Sequence, residues 1–233
     1  MITFQYDADV LEQFPNTVGG VIRATNIRNR ETPEQLREAY QTEQQMAVLR
    51  NEEVPFSKMP QIKAWRQTFR GFNVDPTKYR SAPESLLRRL MKEGDIPIIN
   101  TLVDIGNLIS IRYALPVAVF DTRALHGGIT VHFADGSERY TPLFQNGFEH
   151  PEPGEVIFSD DNKLVVARRW CWRQSNQSAA NLETENVIIV IEAQHDNGHD
   201  DVEVALNDML HLLRVHIHGN FASKILDRDV AGF

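Results

Sequence analysis

The order of helical and strand-like patterns along the chain is the feature that most restricts its fold. Helical spacings dominate up to Tyr113, whereas short apolar or alternating runs between turn residues predict strands from Val117 to Ala193. Helices grouped before strands favour an α+β protein over alternating βαβ units. We therefore expect a mixed, β-sandwich-like core with flanking helices, followed by a last helix from about Asp201 to Val215.

The individual elements follow from residue spacing and from turn and cap residues. Early strands are predicted at Ile2–Tyr6 and Val18–Ile27, and helices at Thr32–Arg50, Met59–Phe69, Glu84–Lys92 and Ile99–Tyr113. Later strands are predicted at Val117–Phe120, Gly128–Phe133, Arg139–Leu143, Glu155–Phe158, Leu164–Trp172 and Asn186–Ala193. In the first helix, Thr32 with Gln35 three residues later is typical of a capping box.

Charge and cysteine content exclude several classes of protein. The 233 residues include 32 Asp and Glu against 24 Lys and Arg, a net charge of -8. This balance argues against tight nonspecific binding to nucleic acid, which needs many cations, although it allows a local basic patch, and we expect no DNA partner. The single Cys171 excludes an internal disulfide and a multi-cysteine metal site, and it suits a reducing cytoplasm. No run approaches the ~20 apolar residues of a membrane helix, so we expect a cytoplasmic protein that does not bind a membrane. We also expect neither a metal ion nor a cofactor.

A polar stripe runs along the otherwise apolar helix that ends at Tyr113. Asn100, Asp104 and Asn107 fall at i, i+4 and i+7 and therefore share one face. In one interpretation the stripe is structural, with Asn100 capping the helix and Asp104 bonded to a neighbouring loop. In the other, Asn107 points into a binding pocket, which makes all three residues candidates for contact with a ligand.

The segment RRWCWRQS, residues 168–175, concentrates cations and indole rings. On a strand, Arg168, Trp170 and Trp172 would share one face, and Arg169 and Arg173 would lie on the other with Cys171. Two Trp beside three Arg are suited to stacking a ring and holding a phosphate or carboxylate. The alternative is a strand end with its Trp in the core and its Arg paired with the surplus carboxylates.

Glu192 and a group of histidines are the remaining candidates. Glu192 follows the apolar run Val187–Ile191, so its carboxylate is expected to be partly desolvated, with a raised pKa, and suited to orienting water or an amine. The alternative is an ordinary strand-end charge in solvent. The histidines at 195, 199, 211, 216 and 218 do not form a pattern that requires a zinc site.

The run IPIINTLVDIGNLISIRYALPVAVFD, Ile96–Asp121, resembles the B3/B4 domain, the tRNA-binding and editing module of the bacterial phenylalanyl-tRNA synthetase beta chain. The positions that carry the resemblance are Asn100, Val103, Asp104, Asn107, Pro116 and Asp121, and it continues at Gly127–Val131, Pro153–Glu155 and Glu183–Ala193. It covers Tyr79–Ala193, about half of the chain. The segment at 168–175 is more similar to free-standing proteins that carry this domain.

The resemblance implies a function and a catalytic pair. In the synthetase, the module hydrolyses tyrosine wrongly attached to the tRNA for phenylalanine, and its pocket Asn and Glu correspond to Asn107 and Glu192. Two departures stand out: Ala118 replaces a His, and Trp172 with Arg173 replaces a Gly-Gly turn. They imply a different substrate, a different way of holding water, or no hydrolysis.

The resulting hypothesis is a free-standing domain that binds an amino acid or the aminoacyl end of a tRNA, with hydrolysis of mischarged tRNA in trans as its enzyme activity. Arg168, Arg169 and Arg173 would hold the terminal phosphates, and Trp170 and Trp172 would form walls. The alternatives are a non-catalytic binder of an amino-acid-like molecule and an interaction module.

We expect three segments packed as one compact unit. They are a lead segment at 1–78, the B3/B4-like domain at 79–195 and a C-terminal helix at 196–233. From the length and the missing aminoacylation motifs, we do not expect a complete synthetase.

Overall fold

The computed structural model describes residues 2–145 and 147–233. Their helices are α1 (Ala8–Gln13), α2 (Glu34–Glu53), α3 (Pro60–Gly71), α4 (Ala82–Glu93), α5 (Thr101–Tyr113) and α6 (Gly198–His216). Their strands are β1 (Phe4–Tyr6), β2 (Val18–Thr25), β3 (Val117–Asp121), β4 (Ile129–Phe133), β5 (Val156–Asp160), β6 (Val165–Arg168), β7 (Arg173–Gln174), β8 (Val187–Ala193) and β9 (Asn220–Leu226). The predicted α+β class is confirmed.

Two sheets organise the molecule. Five strands in the order β1-β4-β5-β6-β7 form one sheet, and four strands in the order β3-β8-β2-β9 form the other. All pairs are antiparallel except the parallel pair of β1 with β4. Residues 1–78 therefore contribute a strand to each sheet, and β2 lies inside the four-stranded one.

Strand β8 separates two hydrophobic cores by its alternation. Ile189 and Ile191 join a core formed with α2, α4, α5 and α6, whereas Ile188 and Val190 join a core between the two sheets. Because side chains alternate along a strand, Glu192 lies on the same side as Ile188 and Val190. The order of layers is thus helices, four-stranded sheet, five-stranded sheet, and Glu192 faces the region between the sheets.

Two adjacent glycines allow close packing on both sides of β2. A Cβ at Gly19 would lie 2.2 Å from the Tyr6 hydroxyl, and a Cβ at Gly20 would lie 2.9 Å from Val202 of α6. Glycine in a strand is typical of close approach by another segment. Gly19 thereby lets the Tyr6 side chain reach Glu192, which pairs with Gly19 across the β2–β8 ladder.

The structure corrects three local predictions. The region 139–143 forms single bridges rather than a strand. The expected strand Leu164–Trp172 ends at Arg168, since Arg169 and Trp170 adopt left-handed backbone angles with φ of 46° and 57°. The capping box is wrong because the Thr32 hydroxyl donates to Asp104 instead.

One strand was not predicted. Strand β9 pairs with β2 at the edge of the four-stranded sheet, beyond the last predicted helix. Among the helices of the described residues, none is long and apolar enough to cross a membrane.

Candidate functional site

A cavity of about 110 Å³ opens where the carboxyl end of β8 meets the start of β3, the β6–β7 turn and the first turn of α4. That volume holds several water molecules or a compact organic group, since one water needs roughly 10–15 Å³. The described residues that line it are Ala82, Pro116, Val117, Ala118, Phe120, Phe158, Ala167, Trp170, Cys171, Trp172, Arg173, Gln174 and Glu192. In this set the walls are mostly apolar and Glu192 is the one carboxylate.

One carboxylate oxygen of Glu192 is hydrogen-bonded within the protein, and the other is available to the cavity. Its side chain is buried, and Oε1 accepts hydrogen bonds from the Tyr6 hydroxyl and from the Trp170 indole Nε1, both at 2.8 Å. Within the part of the chain that the structure describes, no donor bonds to Oε2. Since Glu192 lines the cavity, Oε2 is the oxygen available to a bound molecule.

Burial controls the protonation of Glu192. Desolvation raises the pKa of its carboxyl group to about 7, although the hydrogen bonds from Trp170 and Tyr6 act in the opposite direction. Near neutral pH the group therefore exchanges a proton readily, and a cation in the cavity would favour its charged form. The burial and raised pKa expected for a carboxylate at this strand end are found.

The turn between β6 and β7 positions the Trp170 side chain next to Glu192. Left-handed angles at Arg169 and Trp170 direct the indole into the core, where it is fully buried. Its ring makes edge contacts with those of Phe14 and Trp65, each at 5.3 Å between centroids. The Trp170 ring is thus locked by packing, so its N–H holds the Glu192 carboxylate in a fixed orientation.

Two of the three arginines that were predicted to bind phosphates make their contacts within the protein. Arg168 is buried and makes two hydrogen bonds of 2.9 Å to the Glu155 carboxylate, with a further ion pair to Glu149 at 2.9 Å. The Arg169 guanidinium stacks on Tyr79 at 3.9 Å, and its backbone N–H donates to Glu155. Arg168 and Arg169, which were expected to hold terminal phosphates, are therefore engaged within the protein by the carboxylates of Glu149 and Glu155 and by the ring of Tyr79.

Arg173 differs from its two neighbours. It is exposed, lines the cavity, and its guanidinium lies 4.8 Å from the centroid of the Trp172 ring. No carboxylate among the described residues pairs with it. Arg173 is therefore a cation at the cavity that is available to an anionic group, and Trp172 forms the wall beneath it.

The polar stripe of α5 lies away from the cavity. The Asn100 side chain caps α5 by accepting from the Val103 N–H at 3.1 Å, and Asp104 accepts from Thr32 and from the Ile99 N–H. This is the structural interpretation, and burial raises the pKa of Asp104 accordingly.

Asn107 is not brought to Glu192. It lies beside the Tyr40 hydroxyl of α2, on the helical side of the four-stranded sheet, whereas Glu192 faces the other side. The expectation that these two residues share one cavity is therefore corrected, since the sheet lies between them.

Tyr6, which donates a hydrogen bond to Glu192, is the residue of the candidate site that sequence reasoning missed. The only local signal was the glycine pair at 19 and 20, which marks a close approach without naming the partner. The positions at which the chain departs from the synthetase pattern, Ala118, Trp172 and Arg173, all line the cavity.

The histidines do not assemble a metal centre. His195 Nε2 lies 2.8 Å from Asp201, which also accepts from Gln61. Across residues 2–145 and 147–233, no group of three or more His, Cys, Asp or Glu side chains is placed to hold a metal ion.

Comparison with known proteins places this geometry in a family. The sequence profile of the B3/4 domain matches residues 64–210. Similar curated proteins include the phenylalanine–tRNA ligase beta subunits of Fusobacterium nucleatum, 29% identical over 124 residues, and of Cereibacter sphaeroides, 34% identical over 93 residues. These alignments cover 53% and 40% of this chain but 15% and 11% of the ligase subunits.

A solved structure aligns over a longer stretch. An N-terminal fragment of the phenylalanyl-tRNA synthetase beta subunit from Pyrococcus horikoshii covers 96% of this chain and 50% of its own, with 13% identity and a TM-score of 0.47. The profile match spans more than half of the sequence and includes α4, β3, the β6–β7 turn and β8, which form the cavity. The chain belongs to the B3/4 domain family.

Proposed function

We propose that the cavity binds an amino acid or the aminoacyl end of a tRNA, with the α-ammonium group at Oε2 of Glu192. The observation that carries this proposal is the buried carboxylate, fixed through Oε1 by Tyr6 and Trp170 and open to the cavity through Oε2. A buried charge needs a partner, and an ammonium group supplies both charge and hydrogen-bond donors.

The other walls suit the remaining parts of such a ligand. Phe120, Phe158 and Ala167 offer an apolar surface to a side chain, and Arg173 offers a cation to an anionic group. That anion is the α-carboxylate of a free amino acid or the terminal phosphate of a tRNA. The relatives named as phenylalanine–tRNA ligase subunits support an aminoacyl ligand over other amines.

Hydrolysis of a mischarged aminoacyl-tRNA in trans is the second candidate function, and the pKa of Glu192 favours it. A carboxylate with a pKa of about 7 is suited to accepting a proton from an attacking water near neutral pH. Cys171 also lines the cavity, but burial and the nearby Glu192 raise the pKa of its thiol, which leaves it a poor nucleophile. Glu192 is thus the general base in this scheme, and Ala118 supplies no proton-transfer group.

Calorimetric titration with non-hydrolysable aminoacyl adenosines, joined through a 3′-amide, tests the binding proposal. We expect saturable binding that varies with the amino-acid side chain, and no binding of adenosine alone. Absence of binding across the whole set of amino acids would contradict the proposed function. A parallel deacylation assay on mischarged tRNAs separates the two candidates, since turnover that is lost in Glu192→Gln identifies the hydrolase.

A further inference from the structure

The volume of the cavity beside Glu192 limits the size of the group that can enter it. That volume is about 110 Å³, whereas an apolar protein cavity that binds benzene measures about 150 Å³. By this comparison the space corresponds to roughly four carbon atoms. A phenyl ring together with an ammonium group at Glu192 therefore does not fit.

The buried walls of the cavity are held apart at a fixed width by packing. Phe120 and Phe158 are both buried, and their ring centroids lie 5.5 Å apart. Phe158 also contacts the ring of Phe4 at 5.9 Å. Because a close-packed interior leaves its side chains few other positions, these walls do not separate to admit a larger ligand.

Trp172 forms the wall on the side of the exposed Arg173. Its indole ring makes an edge contact with Tyr79 at 4.9 Å between centroids. The guanidinium groups of Arg169 and Arg173 lie 4.6 and 4.8 Å from the centroid of the same ring. Three neighbours thus hold the half-buried Trp172 in place, and the cavity is bounded by rings on this side as well.

A small residue, Ala118, provides the space that the rings leave. It lines the cavity from β3 and pairs with Val190 of β8. Glu192 follows Val190 by two positions and therefore lies on the same side of β8, diagonal to Ala118. A side chain attached to an amine at Glu192 would thus lie beside the Ala118 methyl group.

The most deeply buried walls are apolar. Phe120 and Phe158 offer only carbon atoms, and the Trp170 N–H is already donated to Oε1 of Glu192. The side-chain amide nitrogen of Gln174 donates to the backbone carbonyl of Val119 at 2.8 Å. A ligand hydroxyl in this part of the cavity would compete with the ammonium group for Glu192 or stay unpaired, which is unfavourable.

We propose that the cavity selects a small aliphatic amino acid, of the size of alanine or valine, and excludes aromatic ones. The inference rests on the proposed function, because it takes the α-ammonium group to lie at Glu192. Phe120, Phe158 and Trp172 set the width, and Ala118 is the specificity-determining residue. This class of ligand differs from the tyrosine that the sequence resemblance implies.

The test is a calorimetric titration with amide-linked adenosines that carry alanine, valine, threonine, phenylalanine or tyrosine. We expect valine to bind at least about tenfold more tightly than phenylalanine or tyrosine, and about ten- to hundredfold more tightly than threonine. Threonine has nearly the shape of valine, so that pair measures polarity, whereas phenylalanine measures size. Free L-valine and L-phenylalanine are titrated as well, because the same order should hold if the ligand is a free amino acid.

Two variants change the cavity in opposite directions. In Ala118→Val we expect the valine ligand to lose at least about tenfold in affinity and the alanine ligand less than about threefold. In Trp172→Ala the phenylalanine ligand should gain at least about tenfold relative to valine. Ala222→Val, the same change on the exposed part of β9, is the matched control and should leave every affinity unchanged. Thermal unfolding checks that all three variants are folded.

Several outcomes would overturn the proposal. Phenylalanine or tyrosine bound as tightly as valine would do so, and so would an equal loss of all ligands in Ala118→Val. If every ligand binds alike and needs its free amine, the Glu192 site stands and the size limit is wrong. If no ligand binds at all, the proposed function and the size limit fail together.

Discussion

Replacing Arg168 by alanine is expected to destabilise the fold by about 3–5 kcal/mol, because removal of one partner leaves a buried charge uncompensated. Arg168 makes two hydrogen bonds to the Glu155 carboxylate, and both side chains are at least 95% buried. The loss would leave Glu155 with one distant guanidinium, that of Arg169 at 3.6 Å. Urea unfolding measures the change.

Arg173→Ala is the matched control for this result. Arg173 belongs to the same segment but is exposed and has no carboxylate partner among the described residues, so its loss should change stability by less than about 0.5 kcal/mol. Adding Glu155→Gln to Arg168→Ala should recover part of the stability, since it removes the orphaned charge. Equal effects of Arg168→Ala and Arg173→Ala would contradict the assignment of Arg168 to the core.

Replacing Glu192 by glutamine is expected to stabilise the protein at pH 8 by up to about 3 kcal/mol, with little effect at pH 5. Burial raises the pKa of Glu192 from 4.5 to about 7. The folded state therefore holds the proton more tightly than the unfolded state. This contribution to stability is complete below pH 4.5 and is lost progressively as the pH rises to 7. Glutamine does not ionise, and its oxygen still accepts from Tyr6 and Trp170.

The difference between wild type and Glu192→Gln isolates this group from all other titrations. We expect the free energies of unfolding of the two proteins to diverge between pH 5 and pH 7 and to run parallel above it. Parallel curves over the entire range would show that Glu192 has an ordinary pKa and is not desolvated as described. Trp170→Phe, which removes one donor to Oε1, should shift the divergence to higher pH.

The sequence was sufficient for elements whose pattern is local. The run Val187–Ile191 predicts a strand buried on both faces, and that strand separates the two cores. Strand β9 was missed because most of its residues are exposed and show no clear alternation. The capping box failed because the hydroxyl of Thr32 bonds to Asp104, 72 residues away, and no local rule weighs such a partner.

In the candidate site, too, local sequence patterns did not identify partners that are distant in the sequence. Position 192 was predictable, since a carboxylate after an apolar strand is desolvated wherever the strand is buried. Its hydrogen-bond donor Tyr6 lies 186 residues away and is visible only in the fold. The left-handed turn at Arg169 and Trp170 had no signal either, because these residue types rarely adopt it. The prediction placed Asn107 in the same cavity as Glu192, because helical spacing shows which residues share a face of α5 but not which neighbouring element that face contacts.

The most direct test of the central claim asks whether Oε2 of Glu192 recognises an amine. The affinity of an amide-linked aminoacyl adenosine is measured with a free and with an acetylated α-amine, on the wild type and on Glu192→Gln. Because steric effects of the acetyl group occur in both proteins, the difference of differences isolates the ammonium–carboxylate interaction.

We predict that acetylation weakens binding to the wild type by at least about tenfold more than to Glu192→Gln, as a charge-assisted hydrogen bond of about 1.5–3 kcal/mol requires. An equal loss in both proteins would contradict the account, because it would show that the carboxylate of Glu192 is not the anchor of the bound amine.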